Sequence, residues 1–259
     1  MRYALGIEYD GAGFCGWQRQ SHSPSVQQSI EKALGVVANH PVTVICAGRT
    51  DTGVHARGQV VHFDTPSERT GRQWMLGINS NLPDAVRVLW IREVDDSFHA
   101  RFGALSRTYQ YSILNRWVRP ALGVSYYGWC RDALDEQRMH ETAQVLLGRH
   151  DFSAFRSAGC SAQHAIREVT DISVRRQKDI VKIDITANAF LYHMVRNIVG
   201  SLIPVGEGER SGQWFADVFA GGDRKLAGVT AEPQGLCFMN VRYDPKFKLP
   251  DNSEYSAFI

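Results

Sequence analysis

The order of predicted elements points to an α+β fold: a mostly antiparallel central sheet shared by two similar halves, with helices packed on one side. Three observations carry this. Apolar and β-branched runs follow one another with few helix-length crossovers between them, as antiparallel pairing requires. The halves, 1–104 and 105–245, repeat a rhythm of strand, helix and paired strands without residue-level repetition, and leave 246–259 as a tail. No stretch of linker composition separates them, so one sheet is expected to run through both.

Residues 2–9 alternate enough to be a strand. Next comes G-x-G-x-x-G, Gly11 to Gly16. A dinucleotide-binding turn needs a helix opening on its last glycine. A polar loop broken by Pro24 follows instead, so that reading is rejected. Ser25 and Gln28 fit a capping box, and Val26, Ile30, Ala33, Leu34 and Val37 recur at helical spacing. Two β-branched segments, 42–45 and 60–63, flank a glycine-bracketed loop. Residues 69–78 read as a helix offering Trp74 and Leu76 for packing, 79–84 as a turn and 86–94 as a strand.

A long strand is expected over 107–115, with Thr108, Gln110 and Ser112 on one face and Tyr109, Tyr111 and Ile113 on the other. Pro120 and Gly123 mark a loop. The second half opens on a helix over 134–147, ended by Gly148, and an irregular stretch over 150–163. Strands 167–176 and 180–187 form a hairpin. Residues 190–205 read as a helix with Leu191, Met194, Val195, Ile198 and Leu202 on its apolar face. His193, Arg196 and Asn197 fall on other faces, as interfacial or solvated groups. A short helix near 214–220 and a strand over 236–243 complete the pattern, and the chain after Pro245 is expected to be loosely held.

Bulk properties narrow the class. The 259 residues suffice for an ample core. No apolar run approaches the roughly 20 residues of a membrane span. The amino terminus carries acids where a signal peptide would be apolar. Five scattered cysteines, with no C-x-x-C pair, argue for a reducing compartment and against a disulfide framework or zinc site. The expectation is a cytoplasmic protein without a metal.

The loop between 46 and 63 concentrates the chemistry. It displays Arg49-Thr50-Asp51 between Gly48 and Gly53, on a turn between strands, where catalytic groups tend to sit. A nearby arginine would keep Asp51 ionised and directed, and such a carboxylate can act as nucleophile or general base. A plain Arg–Asp clamp across the turn is the competing structural reading. Net charge is only +2, so whole-molecule electrostatics announce no partner. Distribution says more: between Ser97 and Arg131 lie five arginines, eight aromatics and no acid, a mixture suited to phosphate contacts and base stacking.

GRTDTGVHARGQVVHF (48–63) resembles the signature of the tRNA pseudouridine synthase A family. The resemblance continues in order through EYDGAGFCGWQRQ (8–20), SVQQSIEKAL (25–34), FHARFGALSRTYQYSILN (98–115), GRHDFSAFR (148–156), NAFLYHMVRNIVGSL (188–202) and QGLCFMNVRYD (234–244). Thr52 departs from the family's usual alanine, and Glu232-Pro233 from its usual TAP. The resemblance implies isomerisation of uridine to pseudouridine at positions 38, 39 and 40 of the tRNA anticodon stem-loop. Asp51 would be the catalytic nucleophile, with Arg49 pairing to it and filling the space of the flipped base. Tyr109 would stack on the uracil and could serve in proton transfer, and Leu236 would pack on the base from another side. Phe98, His99, Ala100, Arg101 and Phe102 would contact RNA, in a cleft on the sheet face away from the helices. It further implies a homodimer and no cofactor. Two rivals remain: a non-catalytic tRNA-binding protein using 97–131, and a dinucleotide enzyme using Gly11–Gly16. Neither accounts for an intact Asp51 loop together with Tyr109.

Overall fold

A computed structural model describes residues 1–250 of the chain. The strands are β1 (Arg2–Tyr9), β2 (Ile45–Cys46), β3 (His55–Asp64), β4 (Val86–Val94), β5 (Ser106–Asn115), β6 (Gly128–Cys130), β7 (Gly148–Asp151), β8 (Ile166–Gln177), β9 (Ile180–Ala187) and β10 (Leu236–Arg242). The helices are α1 (Val26–Ala38), α2 (Gly71–Asn81), α3 (Glu136–Ala143), α4 (Met194–Gly206) and α5 (Gly212–Gly221). The chain divides into two compact units, Met1–Arg107 with the chain from Cys237 on, and Thr108–Leu236. Both carry mostly antiparallel strands with helices packed against them, the predicted α+β class.

In the first unit β1 lies between β4 and β3, antiparallel to both. β2 adds antiparallel to β3 (Cys46 opposite Val61), and β10 adds parallel to it (Cys237 opposite His55). Ser25 caps α1 by accepting the Gln28 N–H at 3.3 Å. Thr70 and Gln73 form a full capping box at α2, which the sequence reading started two residues early. Gly77 allows α2 close to Val37 of α1, where an added Cβ would lie 2.8 Å from a Val37 methyl. Trp74 is fully buried against Tyr3 and Phe63. Leu76 is not a packing residue: it stands 60% exposed on the opposite face of α2. Phe247 lies edge-on to Phe98 with ring centroids 5.0 Å apart, so the chain just after Pro245 is held; 251–259 lie outside the described residues.

In the second unit β8 pairs antiparallel with β7 and β9. β9 neighbours β5, where Thr108 meets Thr186, Gln110 meets Asp184 and the Asn115 N–H meets the Asp179 carbonyl. Those pairs run in opposite sequence directions, so this pairing is antiparallel too. α3 packs on β8, α4 and α5. Phe155 stacks on Phe215 and Phe219, and loss of either partner ring would cost about 3–5 kcal/mol.

Several elements differ from expectation: the 42–45 strand is reduced to Ile45–Cys46, the 134–147 helix to Glu136–Ala143 with a single 3-10 turn after it, and Gly148 opens β7 within the stretch expected to be irregular. Residues 190–193 precede α4 rather than begin it: His193 takes a left-handed φ of 59° and its ring stacks on Tyr192 at 3.8 Å. Asn197 is neither solvated nor interfacial but fully buried. Its amide donates to the Phe155 carbonyl (2.8 Å) and Ser157 Oγ (3.1 Å). Its carbonyl accepts from Arg224 Nη2 (3.0 Å) and Thr230 Oγ1 (2.7 Å). Around it the 224–231 loop lies on α4 so tightly that a Cβ on Gly200 would sit 1.7 Å from the Val229 carbonyl oxygen.

Candidate active site

The loop 47–54 is held from both flanks. Ala47 N–H donates to the Val60 carbonyl at 2.8 Å, and the buried Gln59 amide donates to the Gly48 carbonyl at 2.7 Å. Val54 N–H closes the turn on the Asp51 carbonyl at 3.1 Å, and Gly53 takes φ +77°. Exposure alternates through the tripeptide, with Arg49 exposed, Thr50 buried and Asp51 half-buried. Thr50 is therefore the anchor. Its hydroxyl meets the buried Tyr9 hydroxyl at 2.7 Å, and its carbonyl accepts the Trp17 N–H at 2.9 Å. Burial drives the Tyr9 phenol well above its ordinary pKa, the Thr50 contact opposing, so it remains a neutral hydrogen-bonding group.

The glycines set aside as a nucleotide motif have their explanation here. A Cβ on Gly11 would lie 2.0 Å from the Val54 carbonyl oxygen, and one on Gly16 would lie 2.9 Å from that of Thr50. Gly16 also takes φ +86°, which favours glycine. The 10–17 loop is thus the backing on which the Asp51 backbone rests. Gly11 N–H donating to His55 Nδ1 at 3.0 Å ties that backing to β3.

A second loop, 98–105, belongs to the same unit. Phe98 and Ala100 are fully buried, His99 is half-buried, Arg101 is exposed and Phe102 is 78% exposed. Tyr243 donates its hydroxyl to the Ala100 carbonyl at 2.7 Å. Ala100 N–H donates to His62 Nδ1 (3.1 Å), while Arg101 and Phe102 N–H both donate to His99 Nδ1 (3.2 and 3.0 Å). The Arg101 guanidinium lies 5.5 Å from the Phe102 ring centroid. Arg49 and Arg101 both act electrostatically on the Cys46 thiol, whose pKa burial nonetheless pushes up to about 12.

His62 accepts a backbone N–H, so it holds the loop only while that nitrogen is unprotonated. Burial, then repulsion from His99 and Arg2, pushes its pKa down from 6.5 to about 4, with Asp64 opposing. The unfolded chain takes up the proton first as pH falls. This contribution to stability is whole above pH 6.5 and is lost towards pH 4, amounting to about 2 kcal/mol by pH 5 and about 3 kcal/mol by pH 4. His62→Asn keeps an acceptor at the Nδ1 position and removes the titration. Urea unfolding at pH 7 and pH 5 should show the variant losing about 2 kcal/mol less than the wild type over that interval; equal losses would remove His62 as the source.

In the second unit Tyr109 is buried on β5, with its ring edge-on to Phe190 at 4.9 Å, and Leu236 is buried at the start of β10. The turn before Leu236 rests on Tyr111, whose hydroxyl donates to the Glu232 carbonyl at 2.9 Å. A Cβ on Gly235 would lie 2.6 Å from the Tyr111 ring, so the aromatic and the glycine define that turn together. Because Glu232 makes this contact through its backbone, the unusual Glu232-Pro233 pair leaves it in place. Tyr9, Thr50, Gln59, His62 and Tyr111 were not singled out from sequence as supports; Thr50 sits in a polar loop and the others in strands, and their hydrogen bonds are made away from their immediate neighbours in the chain. Among the described residues no three of His, Cys, Asp or Glu converge to hold a metal ion, and no helix is long and apolar enough to cross a membrane.

A strand-flanked loop presenting one half-buried carboxylate beside exposed cations has the makings of an enzyme site for an anionic substrate. Comparison with known proteins gives the class. Residues 6–103 and 142–244 match the family model described as tRNA pseudouridine synthase, and the chain belongs to that family, isomerases that convert uridine in tRNA to pseudouridine. Among its relatives, the tRNA pseudouridine synthase A of Shewanella frigidimarina is 53% identical over 96% of both chains. Those of Stenotrophomonas maltophilia and Xylella fastidiosa are 54% identical over 96% of this chain and 98% of theirs. A structure titled as a Cbf5-Nop10-Gar1 complex aligns at 12% identity and a TM-score of 0.36, over 78% of this chain and 45% of that one, too distant to add to the fold.

Proposed function

We propose that this chain isomerises uridine at positions 38, 39 and 40 of the tRNA anticodon stem-loop, with Asp51 as the nucleophile, working as a cytoplasmic homodimer without a cofactor. The observation that carries the assignment is the construction around Asp51: two glycines, Thr50, Tyr9 and Gln59 fix the backbone of a half-buried carboxylate on a rigid strand-to-strand loop. Arg49 is assigned to the Asp51 carboxylate and to the space vacated by the flipped base. Tyr109 and Leu236 are assigned to the two sides of the uracil. In the 98–105 loop the groups offered to RNA are the exposed Arg101 and Phe102, with Phe98, His99 and Ala100 shaping the loop that presents them.

The reaction conserves every heavy atom. The C1′–N1 bond breaks, the uracil turns while held, C5 bonds to C1′, and the C5 proton leaves as N1 gains one. Two electrophiles suit the Asp51 carboxylate, ribose C1′ and uracil C6; attack at either gives a covalent adduct that splits one hard step into two. Flipping the base out of the stack costs a few kcal/mol, offset by aromatic stacking and phosphate contacts. No electron or group passes to a second substrate.

The test is tritium release to water from an unmodified tRNA transcript labelled at uracil C5, with no added cofactor. Release supports the assignment; tight tRNA binding without release would leave a binding protein. Tyr109→Phe keeps the ring and removes the hydroxyl. Turnover should fall about a hundredfold, at the low end of a general acid–base contribution, with tRNA affinity held. An unchanged rate would reduce Tyr109 to a stacking surface.

A further inference from the structure

We propose that Arg107 is the positioning residue that couples the RNA-contacting loop 98–105 to the loop bearing Asp51. Its guanidinium reaches backbone carbonyls in both loops. Nη1 donates to Ala104 at 3.1 Å, and Nη2 donates to Arg101 and, at 3.2 Å, to Ala47. Ala47 opens the Asp51 loop, and its own N–H is fixed on Val60. Ala104 and Arg101 belong to the loop that presents the exposed guanidinium and ring. One planar group thus grips a carbonyl at the base of the catalytic loop and two in the RNA-contacting loop.

The residue type matters. Arginine's rigid fork of donors can serve several carbonyls in fixed directions, whereas a lysine ammonium on a flexible stem cannot reproduce that spacing. Other fastenings of the 98–105 loop, from Arg2, His62, His99, Tyr243 and the Arg242 carbonyl, tie it elsewhere than to residues 47–54. Arg107 ties it to them. Displacing the 98–105 loop when RNA phosphates seat on Arg101 is therefore transmitted to the backbone four residues before Asp51. Misplacing a reacting group changes rates far more than it changes affinity, because a 1 Å misplacement can cost about a hundredfold.

This inference rests on the proposed roles of Asp51 and of the 98–105 loop. Its test is the single-turnover rate at saturating tRNA for Arg107→Lys and Arg107→Ala, read beside the melting temperature of each. The expected result is a loss of about tenfold for Arg107→Lys with an unchanged melting temperature, and about a hundredfold for Arg107→Ala. Millimolar guanidinium should restore part of the Arg107→Ala rate and none of the Asp51→Asn rate. Saturating rates within twofold of the wild type in both variants would overturn the proposal. So would losses that follow only the unfolded fraction and ignore guanidinium. A wild-type protein that releases no tritium would instead sink the functional reading beneath it.

Discussion

Asp51→Asn is expected to bring tritium release to background, a fall of at least about a thousandfold, while tRNA binding stays within a few-fold. The substitution is nearly isosteric, and the backbone around position 51 is held by contacts of its own. Its carbonyl accepts from Val54, Thr50 locks to Tyr9 and Trp17, and Gly16 backs the turn. The loop should keep its backbone shape and lose the ionised carboxylate. If binding draws on the arginines and aromatic rings assigned to RNA, affinity and rate should separate. Retained turnover in a preparation free of wild-type protein would remove the nucleophile assignment.

A large effect on stability is also expected at Asn197. Asn197→Ala takes two donors from the Phe155 carbonyl and Ser157 and an acceptor from Arg224 and Thr230, all in a site with no solvent access at its centre. Unmet buried polar groups cost about 1–3 kcal/mol each, more beside a charge, and part of this is recovered because Arg224 still reaches the Gly228 carbonyl and Thr230. The net loss should be about 3–4 kcal/mol, a drop of roughly 10 °C in melting temperature for a protein of this size. Thermal and urea unfolding measure it. A cost below about 1 kcal/mol would mean that the close approach of Gly200 and Gly228 holds the 224–231 loop unaided.

Sequence was most informative where local chemistry and burial agree. β1, β4 and β9 were read at their observed ends: β9 alternates buried and half-buried residues along its length, and β1 is buried almost throughout, so their apolar residues mark them. Ser25 marked the start of α1 because its cap is made three residues away, within the same turn. The short strand β7, Gly-Arg-His-Asp, has no apolar alternation to betray it; pairing with β8 alone makes it a strand. Asn197 was misplaced because helical periodicity identifies one apolar face but cannot say that a loop 30 residues on will cover another. Leu191 drew the helix prediction too early, being buried from the turn before α4 rather than from α4 itself. The site followed the same division: the Asp51 loop is contiguous and legible, whereas Tyr9, His62 and Arg107 act across long sequence separations.

The parallel pairing of β10 with β3 has a consequence for synthesis. The strand that lies beside His55 and Ala56, just past the Asp51 loop, leaves the ribosome only after the whole of Thr108–Leu236 has been made. Until then β3 has one flank without its final neighbour, and the fully buried place of Phe238 is empty. The amino-terminal unit can collapse early but cannot finish early. A nascent chain, or one cut anywhere before position 237, therefore carries the Asp51 loop on an incomplete sheet, and the surroundings of that loop are finished late in translation rather than with the loop itself.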